Sequence, residues 1–291
     1  MRFGMAVPIL QGNAHYEFLD KLGPTLEQRG FESLWVPEHV VLFDEYDSQY
    51  PYTADGSLPV PSTIGMADPF VALSYVAATT RTLRLATGIC LLPQRNPVYT
   101  ARQVADLDFL SNGRFEFGIG IGWSREEYGA ANVPWERRGA RTDAYLDVMV
   151  SLWMDDVSSY EGPLYSLPPC RSYPKPKQQP HPRIHVGGES DAAMRRVAAR
   201  GQGWYSVSAS PEDSQVALTR LDSALAAVGR TRDEITVTIH PPVDIAEQIL
   251  SRDLVERYEA LGVDRIICGL WPATIDDIER AADRMASGFP A

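Results

Sequence analysis

Lysine is nearly missing from this chain of 291 residues: Lys21, Lys175 and Lys177 are the only ones, so 24 of the 27 basic residues are arginine. Lys21 falls in the first helical pattern and the other two in a proline-rich loop, which leaves no lysine at a strand end for Schiff-base chemistry. Cysteine is scarce as well. Cys90, Cys170 and Cys268 are odd in number and far apart, a pattern that suits neither a disulfide framework nor a zinc site. The five histidines include no His-x-His pair closing the first strand, and this weighs against hydrolysis on a metal held by converging ligands. No apolar run approaches the ~20 residues of a membrane span. Residues 1–10 are too short and lack the basic flank of a signal peptide, so a cytoplasmic protein with no membrane partner is expected. The net charge of −11 argues against nucleic acid, whose phosphates require clustered cations.

What the chain does have is alternation. Strand patterns at 2–8, 31–36, 83–92, 114–121, 183–186, 203–207, 234–240 and 264–270 alternate with helical patterns. The helices are at about 16–29, 68–80, 97–110, 136–154, 191–200, 211–228, 243–261 and 274–286, with a short extra one near 125–130. Local punctuation agrees: Gly30 closes the first helix, Asp68-Pro69 opens the second, and Asn112-Gly113 stops the third. The hydrophobic fraction of 44% is ample for one large core, and a single α/β barrel takes roughly 250 residues. The predicted fold is a (β/α)8 TIM barrel forming one domain over 1–291. Insertions at about 37–67 and 155–182 follow strands two and four, and both read as lids on the same rim. An open doubly wound sheet shares the alternation, but its first turn is glycine-rich, where this chain reads PILQGN.

In such barrels chemistry gathers where strands end. At one end, Glu38-His39 follows strand two: an imidazole there can exchange a proton near neutral pH, and a carboxylate beside it can orient it. The bland alternative is a histidine capping a loop. Gly187-Gly188-Glu189-Ser190 ends strand five and opens a helix. That arrangement suits an anion approached by backbone N–H groups, or a plain turn with Ser190 as N-cap. The glycines at 118, 120 and 122 lack dinucleotide-motif spacing. They keep the barrel wall low enough for a planar ring, or permit tight packing. Gly88, inside an otherwise branched strand, suggests a bulge or close backbone approach. His240 is a weaker candidate for the pocket, and Glu126-Glu127 could serve as acid or base but reads first as an exposed helix start.

Taken together, residues 35–39 (WVPEH), 85–89 (LATGI) with 93–97 (PQRNP), 108–114 (DFLSNGR), 118–122 (GIGIG) and 186–188 (VGG) resemble the bacterial luciferase-like superfamily, and most closely its branch using the deazaflavin coenzyme F420. The resemblance spans about residues 1–230. It implies a cofactor phosphate at Gly187, Gly188, Glu189 and Ser190. It further implies a ring over a bulge with a non-proline cis peptide at Gly88-Ile89, and ring contacts from Leu91, Ile121 and Gly122. His39 matches the histidine of an Asp-His pair that serves hydride transfer, with Glu38 in place of Asp. Trp123 stands where the sugar-phosphate dehydrogenases of the branch carry a catalytic glutamate, so no sugar-phosphate substrate is expected.

The resulting expectation is an oxidoreductase passing a hydride between F420 and a small apolar or aromatic substrate, near Trp123, Trp271, Tyr46, Tyr50 and Tyr52. One alternative is a monooxygenase that uses FMN, oxygen and a separate flavin reductase. Another is a non-catalytic flavin-binding protein. The resemblance also makes a homodimer possible, and no exposed stripe in the sequence demands one.

Overall fold

The computed structural model describes residues 1–207, 210–241, 252–270 and 274–287. Its strands are β1 (Arg2–Ala6), β2 (Ser33–Val36), β3 (Arg84–Thr87), β4 (Cys90–Leu91), β5 (Phe115–Gly120), β6 (Ser158–Gly162), β7 (Tyr165–Cys170), β8 (Ile184–Gly187), β9 (Gly203–Ser206), β10 (Thr236–Ile239) and β11 (Arg265–Gly269). The helices are α1 (Tyr16–Gln28), α2 (Pro69–Thr79), α3 (Pro97–Leu110), α4 (Arg125–Ala130), α5 (Arg138–Met154), α6 (Asp191–Arg200), α7 (Pro211–Ala226), α8 (Arg252–Ala260) and α9 (Ile275–Ala286). Parallel pairing runs β3-β2-β1-β11-β10-β9-β8-β5, and a β3–β5 pairing closes the ring. The result is the expected eight-stranded barrel. The predicted third strand is in fact two, β3 and β4, interrupted at Gly88-Ile89.

Period-two alternation sends one set of side chains outward and the other into the lumen. Met5, Leu34, Leu85, Phe117, Val186, Trp204, Val237 and Ile266 join the helices in the main hydrophobic core. Ala6, Trp35, Ala86, Tyr205 and Ile267 form a separate cluster inside the barrel, with Ile89 and Val207 against it. Glycines on the inner face make room for these large rings. A Cβ on Gly203 would sit 2.1 Å from the His185 ring, and one on Gly118 would sit 2.0 Å from the Thr87 carbonyl.

Below the aromatic layer the lumen is ionic. The buried Arg265 guanidinium donates to both Glu116 oxygens at 2.9 and 3.2 Å and to both Glu32 oxygens at 2.8 Å. His185 Nε2 lies 3.0 Å from Glu116. Burial alone would raise the Glu116 carboxyl, but Arg265, His185 and Arg84 outweigh it and hold the group well below its ordinary range.

The two insertions lie at opposite ends of the barrel. Residues 37–67 leave β2 at the mouth and return there, held by Gln11 N–H to Gly65 O at 2.9 Å and Ala67 N–H to Ile9 O at 2.8 Å. Residues 155–182 leave the C-terminus of α5, form the β6–β7 hairpin, and reach the other end. There Gln178 donates to Phe115 O at 2.6 Å and to Asp108 at 2.6 and 2.8 Å. This second insertion is therefore no lid; a segment that follows a helix in a βα unit starts at the barrel floor.

Removing the positive member of the ionic layer exposes its cost. Arg265→Met strands a buried carboxylate and is expected to lower unfolding free energy by about 3–5 kcal/mol, measured by urea denaturation. The double variant with Glu116→Gln is expected to recover a large part of that loss.

Candidate active site

The barrel mouth is organised by a carboxylate that the sequence suggested for another task. Glu38, buried just past β2, accepts from the Leu91 N–H at 2.7 Å and from Arg95 Nε at 2.7 Å, with a second Arg95 nitrogen also in contact. Arg95 reaches on to Asp68 Oδ2 at 2.5 Å, and Asp68 caps α2 through the Phe70 and Val71 N–H groups. Both Glu38 oxygens thus face Leu91 and Arg95, and the carboxylate bonded to His39 is a different one.

His39 has a different partner. Its Nδ1 lies 2.9 Å from Glu127 Oε1, and Glu127 is buried in the first turn of α4. Glu127 thus belongs to the site and is not the exposed helix start that the sequence suggested. A signal for it existed: Ser124-x-x-Glu127 has capping-box spacing, which aims the N3 side chain back over the helix start. Ser124 Oγ does accept from the Glu127 N–H at 3.1 Å, but the carboxylate turns to the imidazole 88 residues earlier in the chain. A carboxylate can only accept, so Nδ1 carries the proton and Nε2 is the nitrogen left for a ligand.

Around this pair several buried polar atoms have no partner: both amide atoms of Gln94, Trp123 Nε1 and Glu127 Oε2. Trp123 lies 6.0 Å from His39, ring to ring, and a Cβ on Gly122 would fall 3.1 Å from Gln94 Nε2. Buried polar groups nearly always find partners, so a cluster without them marks a place built for a ligand. Tyr46 and Tyr50 from the first insertion pack on Trp123 at 5.1 and 5.3 Å. Glu126 Oε1 holds that insertion by accepting from the Asp47 and Ser48 N–H groups at 2.8 and 3.1 Å.

The remaining predicted residues fall on the same rim. The Gly88–Ile89 peptide is cis, as the resemblance implied. Ile89 fills the space above the neighbouring glycines: a Cβ on Gly120 would sit 1.9 Å from its Cδ1, and one on Gly187 would sit 3.0 Å away. The low wall is therefore a socket for Ile89, not bare floor. Leu91 is buried beside Gly122, and Gly122 adopts φ +73°. The Ile121 carbonyl accepts from Tyr128 Oη at 2.5 Å.

At β8 the picture changes in detail. Gly188, at φ +103°, spends its N–H on Tyr205 O at 3.1 Å, so it cannot offer that group to a phosphate. The Glu189 carboxylate accepts from Ser206 Oγ, and Ser190 Oγ caps α6 by accepting from the Ala193 N–H at 3.2 Å. Trp271 lies outside the described residues.

His240 does reach the mouth. Its Nδ1 lies 2.7 Å from Tyr205 Oη, and burial pushes its pKa down from 6.5 to about 4. Below pH 6.5 the unfolded chain takes up a proton that the native imidazole refuses. Stability is thus full above that pH and is lost as pH falls toward 4. For this group the loss between pH 7 and 5 is about 2 kcal/mol. Urea denaturation at both pH values is expected to show a drop smaller by about that amount in His240→Gln.

Among the described residues no group of three or more His, Cys, Asp or Glu could hold a metal, and no helix is long and apolar enough to cross a membrane. The sequence matches the model of the luciferase-like monooxygenase family over residues 1–266. It is 31% identical over 265 residues to an uncharacterized protein of Mycobacterium tuberculosis, covering 90% of each chain. It is also 33% identical over 139 residues to the FMNH(2)-dependent dimethylsulfone monooxygenase of Pseudomonas putida, covering 46% of this chain and 38% of that one. In fold it is similar to the coenzyme F420-dependent tetrahydromethanopterin reductase of Methanopyrus kandleri, with TM-score 0.76, 16% identity and coverage of 99% and 97%. On the family match and the barrel together, the chain belongs to the luciferase-like monooxygenase family.

Proposed function

We propose that this protein is an oxidoreductase that holds the deazaflavin F420 across the barrel mouth and acts on a small apolar or aromatic substrate. The observation that carries this reading is the His39–Glu127 pair, set among the unpartnered buried atoms of Gln94 and Trp123. The residues present fit a planar ring. Ile89 and Leu91 offer an apolar shelf, and the bare Cα of Gly122 leaves open the space that a side chain would take from Gln94. At β8 the phosphate contacts expected of Gly187, Gly188, Glu189 and Ser190 fall mainly to the amides that open α6, because the first amides of a helix have no intrahelical partner.

When bound, the deazaflavin supplies a ring carbon, C5, that accepts or gives up a hydride. The protein's part is positional and protonic. Glu127 fixes the tautomer of His39, so His39 Nε2 accepts a proton beside the reacting atoms and returns it from the imidazolium form. Tyr46 and Tyr50 pack on Trp123, which lies edge-on to the His39 ring at 6.0 Å, and this aromatic surface suits an apolar partner.

FMN is the second reading, favoured by the similarity to the Pseudomonas putida enzyme over 139 residues. Fluorescence titration of oxidised F420 and of FMN separates the two. F420 is expected to bind at least about tenfold tighter, a difference of about 1.4 kcal/mol. Selective FMN binding with substrate-dependent oxygen uptake would overturn the deazaflavin assignment. Once a substrate is found, His39→Ala and Glu127→Gln are expected to lower kcat by roughly 100-fold or more while cofactor Kd changes little. Unchanged kcat in both variants would remove the pair from the chemistry.

A further inference from the structure

Fifteen of the 24 arginines of this acidic chain face a carboxylate within 4 Å. Among the others, one group stands on the barrel rim. Arg138 lies over the Trp135 ring at 3.6 Å and Arg125 lies over the same ring at 5.1 Å. Arg137 opens α5 in the left-handed region at φ +58°, with no side chain capping the helix start. Arg138 Nε is buried without a hydrogen-bond partner. No ion pair is formed by Arg125, Arg137 or Arg138 among the described residues.

The neighbouring carboxylates are engaged elsewhere. Glu126 accepts from the Asp47 and Ser48 N–H groups, Glu127 holds His39, Asp143 pairs with Arg196 and Asp191 pairs with Arg220. Glu136, exposed next to Arg137, is the one acid left to offset the cluster locally. The turn that displays these cations is pinned from beneath: the buried Arg141 donates to Pro134 O at 2.7 Å and to Glu136 O at 3.1 Å.

The location ties the cluster to the mouth. Trp135 packs edge-on against Tyr128 at 5.1 Å, and Tyr128 bonds the Ile121 carbonyl beside Gly122. On its other side the start of α5 meets α6, where Arg196 donates to Gly139 O at 3.0 Å. The cations thus stand between the ring end of the site at Gly122 and the anion end at the start of α6.

We propose that Arg125 and Arg138, stacked on Trp135, together with the exposed Arg137 at the start of α5, bind the polyanionic tail of the coenzyme, the phosphate and carboxylate groups that trail from its ring. This rests on the deazaflavin reading. Guanidinium groups suit such a ligand because they stay charged and grip phosphate or carboxylate through paired N–H donors. Stacking on Trp135 holds the planar forks in place before the ligand arrives.

The test compares F420 with its tail-less deazaflavin nucleoside, on the wild type and on two variants. One variant is Arg125→Gln/Arg137→Gln, which touches only exposed side chains; the other adds Arg138→Gln. Thermal melts check that each is folded. The wild type is expected to bind F420 at least about tenfold tighter than the nucleoside, with that preference shrinking as salt is raised from 0.05 to about 0.5 M. Both variants are expected to lose most of the preference while their affinity for the nucleoside stays within about twofold. A variant that keeps the full preference overturns the assignment. If neither deazaflavin binds the wild type, the cofactor reading falls instead, and FMN against riboflavin judges the patch. Loss of the FMN preference in the variants supports it, and a preserved preference overturns it.

Discussion

The Glu38–Arg95–Asp68 clamp is the constraint on which the mouth of this barrel depends. It joins three pieces that chain connectivity alone leaves independent: the end of β2, the β4 segment after the Gly88–Ile89 peptide, and the first turn of α2. A carboxylate this deeply buried is tolerable only because it is both paired and hydrogen-bonded. Burial opposes the charge of Arg95, and its contacts with the Glu38 and Asp68 carboxylates outweigh that opposition. With the clamp in place, Ile89 is delivered into the sockets left by Gly120 and Gly187, and His39 leaves β2 in the direction of Glu127.

Two ionic assemblies therefore do separate jobs. The Arg265–Glu116–Glu32 layer fills the lower lumen and sustains the barrel, while the Glu38 clamp above it shapes the rim. Between them Trp35 and Tyr205, 4.9 Å apart, form an aromatic plug. The plug keeps the floor of the mouth apolar, which makes the few polar groups above it count for more in binding and in proton exchange. The first insertion adds its own aromatic surface at the mouth, since Tyr46 and Tyr50 pack on Trp123.

A good part of this was legible in the chain. The β/α alternation, the first insertion, the break at Gly88-Ile89 and the place of His39 just past a strand end all follow from local pattern or short motif. Such signals survive in one dimension because periodicity, capping and glycine placement act over a few residues. What failed were inferences from adjacency. Glu38 sits next to His39 in sequence, yet successive residues past a strand end point different ways, and the two side chains serve different partners. Proline content made residues 155–182 look like a lid, but the helix before them carried the chain to the barrel floor. The glycines of β5 looked like a bare wall because nothing in their own segment announces the Ile89 side chain that fills them.

The sequence by itself determined the elements, their order and which strand ends carry unusual residues, because those are properties of neighbouring side chains and backbone. Only the tertiary structure decided which groups meet. It gave His39 the carboxylate of Glu127, gave Glu38 to Arg95 and Leu91, paired Tyr205 with His240, and left Gln94 and Trp123 with buried atoms to satisfy. Those meetings join segments tens of residues apart. Their outcome is fixed by barrel closure and helix docking, which set distance and direction in ways that no local pattern records.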